Sequence, residues 1–199
     1  MKYPKLRELK EAIKSLISSP YTGKFPLGPA RPVPKGLRGK PVYNKDVCVG
    51  CGACAKVCPV GVIQVTDNAV SKKRSLTQIL DLCVYCGQCE RYCITKTGIQ
   101  LTQEYDLATC DRNAYRGGIE KELALCEMCN SVIGPVDHIK WVAERVEESA
   151  FTNPTLMLTL LQSTTTLKKE QPPKPSSFVR RPDRIRILCH KCRRVTTIE

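Results

Sequence analysis

Two cysteine runs of identical spacing constrain this chain more than any other feature. Cys48, Cys51, Cys54 and Cys58 form one C-x2-C-x2-C-x3-C run, and Cys83, Cys86, Cys89 and Cys93 form the other. Three cysteines at intervals of three wrap a tight loop around one iron–sulfur cubane. The fourth comes one residue later, where the chain has entered a short helix and its sulfur points away, toward a second cubane. The spacing therefore predicts an interlocked pair of [4Fe–4S] clusters. Cluster one falls on Cys48, Cys51, Cys54 and Cys93, and cluster two on Cys83, Cys86, Cys89 and Cys58. No signal-peptide pattern is present, so the thirteen cysteines are expected as metal ligands in a reducing compartment rather than as disulfides.

The runs sit inside a larger repeat. Asp46–Cys54 aligns with Asp81–Cys89 at an offset of 35, and Ile63–Thr66 aligns with Ile99–Thr102 after one inserted residue. Each half reads as loop, short helix, turn and strand. The expected fold is α+β: a bacterial-type ferredoxin-like core with pseudo-twofold symmetry and antiparallel strand pairing. Gly50, Gly52 and Gly87 let the loop backbone approach inorganic sulfide, where amide hydrogens raise a cluster's potential. Pro59 follows Cys58, whereas Ile94 follows Cys93 and leaves an extra amide hydrogen beside that ligand. Residues 67–80 connect the halves, with Lys72–Arg74 expected at a hairpin tip.

The flanks are of a different character. Residues 4–18 carry Leu6, Leu9, Ile13, Leu16 and Ile17 on one helical stripe and Lys5, Arg7, Lys10 and Lys14 on the rest. Such a helix packs on its own domain, or lies on a membrane surface or a membrane-embedded partner. From Pro20 to Pro41, six of 22 residues are proline, which excludes helix and inner strand. Phe25, Leu27, Val33 and Leu37 suit an extended arm laid along a partner. The expected division is 1–42 for helix and arm, 43–109 for the two-cluster domain and 110–199 for a C-terminal extension. Cys110 has no partner at ligand spacing and is expected as a buried thiol.

The extension carries a second kind of site. Cys126 and Cys129 form one C-x2-C knuckle and Cys189 and Cys192 another, 59 residues further on. Two knuckles complete a tetrathiolate site, expected to hold structural zinc, with rubredoxin-type iron or free thiols as the alternatives. Four closed thiolate positions leave no open coordination for substrate. The gap is bridged by a helix over 136–148 and a shorter one around Leu156–Leu161, and Lys168–Pro182, with four prolines, reads as a surface loop. His138 and His190 are possible substitute ligands, His138 being better placed as an ordinary packing histidine.

The formal charge of +13 counts cysteines as neutral thiols. Two loaded cubanes and a tetrathiolate zinc, each bringing roughly −2, leave about +7. The chain stays basic, but much of the excess offsets its own cofactors. No apolar run approaches the ~18–20 residues needed to span a bilayer.

The double cysteine run, the basic amphipathic helix and the Pro/Gly arm ending at Arg38–Pro41 together resemble one family. It is the two-cluster ferredoxin subunit of respiratory complex I and of group 4 membrane-bound [NiFe] hydrogenases. Gln103–Ala108 and the paired knuckles are most similar to the subunit of formate hydrogenlyase-type complexes. The resemblance implies a peripheral subunit on the cytoplasmic side of the cell membrane, in contact with the membrane arm and the hydrogenase-like small and large subunits. It would relay electrons from a donor module. No nucleophile–base pair, nucleotide loop or open metal site is present, so the chain is expected to have no catalytic site of its own. Two other readings stand beside this one: the equivalent subunit of a quinone-reducing complex, and a basic zinc-ribbon protein that binds nucleic acid. Few aromatics and the offset charge weigh against the last.

Overall fold

The computed structural model describes residues 5–19, 22–23, 28, 32–164 and 185–198. Two compact units are present, Met1–Leu37 and Arg38–Glu199. In the first, α1 (Leu6–Ile17) starts after Lys5, whose amide donates to the Glu8 carboxylate at 3.1 Å. Its apolar stripe is exposed along its whole length, Leu6 reaching 86%. Phe25 and Leu27 of the arm lie outside the described residues.

The second unit begins on a two-stranded sheet. β1 (Pro41–Tyr43) pairs antiparallel with β4 (Ile99–Leu101), Tyr43 facing Ile99. Gly39 lies so close to the backbone of Thr102 and Glu104 that a Cβ would come within 2.3 Å of the Glu104 carbonyl. A four-stranded antiparallel sheet follows, in the order β2 (Ile63–Asn68), β3 (Lys73–Ile79), β5 (Arg116–Leu125) and β6 (Val132–Pro135). The β2–β3 turn spans residues 69–72, where Asn68 Oδ1 accepts from the amides of Val70 and Ser71 at 2.9 and 3.0 Å. Lys72 is at this tip, in the left-handed region, while Lys73 and Arg74 already belong to β3, one step beyond the expected hairpin apex.

β5 pairs with β3 in register Leu76↔Ile119, so one sheet runs across the division expected at 109/110. The short helices α2 (Ala53–Lys56) and α3 (Gln88–Arg91) each start from a left-handed glycine, Gly52 and Gly87. That conformation is nearly free of cost for glycine alone. It turns the chain sharply between the second and third cysteines of each run.

The core of this region is part sulfur. Leu76 and Ile99 are almost fully buried beside Val62, Ile63, Ile119 and Cys54, with Cys48, Cys58, Cys83, Cys89 and Cys93 packed against them. Each buried aliphatic contributes about 1.5–3 kcal/mol. Beyond β6, α4 (Val136–Val146) buries Ile139 and Ala143 and packs against α5 (Pro154–Thr164). The expected 136–148 helix stops at Val146, where Glu147 takes a positive φ of 48°. A last helix, α6 (His190–Ile198), was not legible in the sequence; Lys168–Pro182 lies outside the described residues.

Candidate metal centres

The two cysteine runs meet in one place. Cys58 lines a cavity together with Cys83, Cys86 and Cys89, three cysteines of the other run. Cys93 makes the reciprocal crossing. Its Sγ and the Cys48 Cα both lie beside Gly98, each 3.2 Å from where a side chain on that glycine would begin. The glycine is what lets the second run reach the first.

Donors surround these sulfurs. Thr95 Oγ1 lies 3.3 Å from Cys93 Sγ. Burial pushes the Cys93 thiol up, but hydrogen bonds from the Thr95 hydroxyl and from the amides of Thr95, Gly98 and Ile99 outweigh it, leaving the group below its usual value. Tyr43 Oη is 3.5 Å from Cys54 Sγ. Burial, then the neighbouring Cys54, hold the Tyr43 phenol far above its usual range, so its hydroxyl keeps a proton to donate. Burial likewise pushes Cys48, Cys54 and Cys83 up, and Cys89 to about 11.

Buried thiols of this kind ionise only where a cation replaces their protons, which is what cluster iron does. Gln78, 2% exposed, shares a face of β3 with Leu76, and its Nε2 has no partner among the described residues. A cluster sulfide on that side of the sheet would accept from it. The donors, the buried thiols and this orphaned amide fit the chemistry of iron–sulfur clusters.

Arginines and a lysine brace the loops. Arg38 Nη1 donates to the Cys86 carbonyl at 3.1 Å, and Arg74 Nη1 to the Gly50 carbonyl at 3.1 Å. Lys121 Nζ donates to the Lys45 carbonyl at 2.8 Å. None of these was singled out from the sequence as touching the cysteine loops. They lie 24 to 76 residues from their acceptors, and only folding reveals the pairing.

The second group is Cys126, Cys129, Cys189 and Cys192, whose sulfurs all lie within 4.8 Å of one another. Cys126 and Cys189 are buried with Leu188 against Ile133. The knuckles are held side by side by the Glu127 amide donating to the Ile187 carbonyl at 3.0 Å. α5 adds a second tie: Thr155 Oγ1 donates to the Leu188 carbonyl at 3.2 Å. The Cys192 amide, then the Ser131 hydroxyl, push Cys189 down to about 5, and Ser131 lowers Cys129 as well. His138 and His190 are not in this group; His138 packs on Trp141, with ring centroids 6.2 Å apart. Cys110, expected as a buried thiol, is exposed, because residues 102–110 run over the surface as irregular chain.

Comparison with known proteins bears on the first centre. Residues 47–97 match the model of the 4Fe-4S dicluster domain. The chain is 36% identical over 124 residues to formate hydrogenlyase subunit 6 of Escherichia coli (strain K12), covering 61% of this chain and 65% of that protein. It is 31% identical over 128 residues to the chloroplastic NAD(P)H-quinone oxidoreductase subunit I of Dioscorea elephantipes, covering 60% of this chain and 69% of the relative. The chain belongs to this family of 4Fe-4S dicluster subunits. The match thus spans just under two thirds of the formate hydrogenlyase subunit. A chain in the structure of the archaeal membrane-bound sulfane sulfur reductase aligns at a TM-score of 0.41 with 23% identity, over 57% of this chain and 60% of that one. Family members named here are subunits of oxidoreductases, and no described helix of this one is long and apolar enough to cross a membrane.

Proposed function

We propose that this chain is the electron-transfer subunit of a membrane-bound, multisubunit group 4 [NiFe] hydrogenase of the formate hydrogenlyase type. The observation that carries the reading is the crossing of the two cysteine runs, with Cys58 beside Cys83, Cys86 and Cys89. It supports cluster two on those four residues and cluster one on Cys48, Cys51, Cys54 and Cys93. The exchange of strands supports a pseudo-twofold core: the strand before the first run pairs with the strand after the second, and β2 pairs with β3 between the runs. When bound, the clusters supply one-electron redox chemistry. The chain's part is to fix their spacing, exclude water with Leu76 and Ile99, and aim amide and hydroxyl hydrogens at sulfur.

Residues 126, 129, 189 and 192 would hold one structural zinc. A metal about 2.3 Å from each of four sulfurs sets them about 3.8 Å apart, and Cys129 and Cys189 lie 3.7 Å apart. A cubane, which spreads its ligands around a whole iron–sulfide box, needs a wider quartet. Residues 1–42, with the exposed stripe of α1, would dock the subunit on the cytoplasmic face against the membrane arm and the hydrogenase-like small and large subunits. Residues 43–109 would carry the clusters, and 110–199 would clamp the tail. The same arrangement would serve in a quinone-reducing complex, the class named by the chloroplast relatives.

Purification of the tagged chain with its native partners distinguishes these readings. The hydrogenase reading expects a nickel-containing large subunit to accompany it, with about eight irons and one zinc per chain. Zinc without iron would sink the relay reading. Cys93→Ser is expected to disturb the EPR signal of cluster one although it belongs to the second run; an unchanged signal would overturn the interlocked assignment.

A further inference from the structure

Two cations face each other across the sheet beside the Cys48–Cys51 loop. Arg74 on β3 and Lys121 on β5 are directly opposed in the strand register. Like charges in that position repel, so the arrangement needs negative charge nearby. Part of it is visible. Arg74 holds Asp67 through Nε and Nη2, both at 2.7 Å, and Lys121 holds Asp137 at 2.9 Å. In both pairs the cation is the inner member: the Lys121 and Arg74 side chains are 11% and 16% exposed, those of Asp137 and Asp67 43% and 29%.

Arg74 also grips the loop itself, and Lys121 grips the chain that leads into it while its stem packs on Gly50. Arg74 donates to the Gly50 carbonyl, Lys121 donates to the Lys45 carbonyl, and the β and γ carbons of Lys121 lie 3.2 and 3.1 Å from the point where a side chain on Gly50 would begin. Water screens the outer carboxylates more than the inner cations. The loop that carries Cys48 and Cys51 therefore sits in a net positive field. A cubane gains one negative charge on reduction, so such a field favours its reduced form.

Lys121 differs from Arg74 in one respect. Its carboxylate partner, Asp137, stands in the first turn of α4, outside the cysteine repeat. Resting on the reading that Cys48, Cys51 and Cys54 hold a cluster, we propose that Lys121 sets the potential of cluster one and that Asp137 moderates it, making the C-terminal extension an adjuster of that potential.

The test is an EPR-monitored redox titration of the intact complex carrying full-length variants. Cys51→Ser, a ligand of the first run under any pairing, marks which wave belongs to cluster one. Lys121→Gln is expected to move that midpoint to more negative potential, and Asp137→Asn to more positive potential by freeing Lys121 of its counter-charge. Lys121→Arg restores the wild-type value, and the cluster two wave stays in place throughout. Lys73→Gln, which breaks the exposed Lys73–Glu120 pair on the same two strands, serves as the control and leaves both waves unmoved. Equal midpoints in wild type, Lys121→Gln and Asp137→Asn overturn the proposal, as do shifts of the same sign. Should Lys121→Gln lose cluster one altogether, the sign of the Asp137→Asn shift and a wild-type midpoint in Lys121→Arg decide. Absence of iron from the wild-type chain would overturn the relay reading and this proposal with it.

Discussion

Gly98→Ala puts one methyl group where three groups already meet. The added carbon would stand 2.5 Å from Thr95 Oγ1, 3.2 Å from the Cys48 Cα and 3.2 Å from Cys93 Sγ. Gly98 is not among the positive-φ residues, so the cost is steric rather than conformational. The easiest relief is rotation of Thr95, and that pulls its hydroxyl off Cys93 Sγ, now 3.3 Å away. Overpacking of this kind costs about 1–3 kcal/mol. Losing a hydrogen bond to an ionised sulfur costs about 1.5–3 kcal/mol. Because one relieves the other, the combined loss is expected at about 2 kcal/mol rather than the sum. If the loss falls on the native state alone, unfolding accelerates about 30-fold. The assay is the first-order loss of cluster absorbance from the anaerobic holo-protein at fixed denaturant. Thr95→Val removes the hydroxyl without the clash and, at the lower figure of about 1.5 kcal/mol, is expected about 13-fold faster than wild type, while Thr95→Ser stays near it. A Gly98→Ala protein with the wild-type lifetime would refute the steric account. A wild-type lifetime in Thr95→Val would refute the hydrogen-bond account.

Gly118→Ala meets backbone instead of a side chain, its Cβ falling 2.4 Å from the Leu76 carbonyl oxygen, so β3 and β5 must part. A loss of about 3 kcal/mol is expected, read as lost amide-exchange protection at Leu76 and Ile119; full protection would contradict it. Asp67→Asn tests the Arg74 pair. Hydrogen bonding and charge from Arg74 hold the Asp67 carboxyl below its ordinary value of 3.8. Its stabilisation is therefore complete above that value and fades as pH falls through the lower folded one. The wild type should exceed the variant by about 1 kcal/mol at neutral pH, with the gap closing only in strong acid. Cys126→Ser removes a fully buried thiol of the tail quartet. If the quartet holds the proposed zinc, zinc should fall from about one per chain to none while iron is unchanged, and loss of iron would show instead that the clusters depend on this quartet.

Much of the site was legible because ligand spacing is a local property. C-x2-C-x2-C-x3-C dictates which sulfurs share a loop and which one points away, and the left-handed Gly52 and Gly87 fall where that loop must turn. The amphipathic period over 4–18 likewise foretold a helix there, and α1 occupies Leu6–Ile17. Cys110 misled for a reason of equal generality. Burial of a lone thiol is a statistical habit, and the irregular segment after β4 has no periodicity from which to read its inner face. α6 was missed because its charged residues leave no apolar stripe; its first turn is held instead by the knuckle, through the Arg193 amide donating to the Cys189 carbonyl at 3.0 Å.

By itself, then, the amino-acid order determined the two cysteine runs and the family to which the chain belongs, and it is the source of the proposed exchange of fourth ligands. Bond lengths and a few torsions govern all of these over about ten residues. Tertiary structure alone decided what surrounds the sulfurs. Thr95 and Gly98 against Cys93, Tyr43 against Cys54, Arg38 and Arg74 on the loop carbonyls, and the Lys121–Asp137 pair arise where distant strands and helices pack together. The 59-residue gap between the knuckles closed for the same reason, through the contacts of Thr155 and Glu127. Spacing names the ligands; packing sets the field and the hydrogen bonds in which they work.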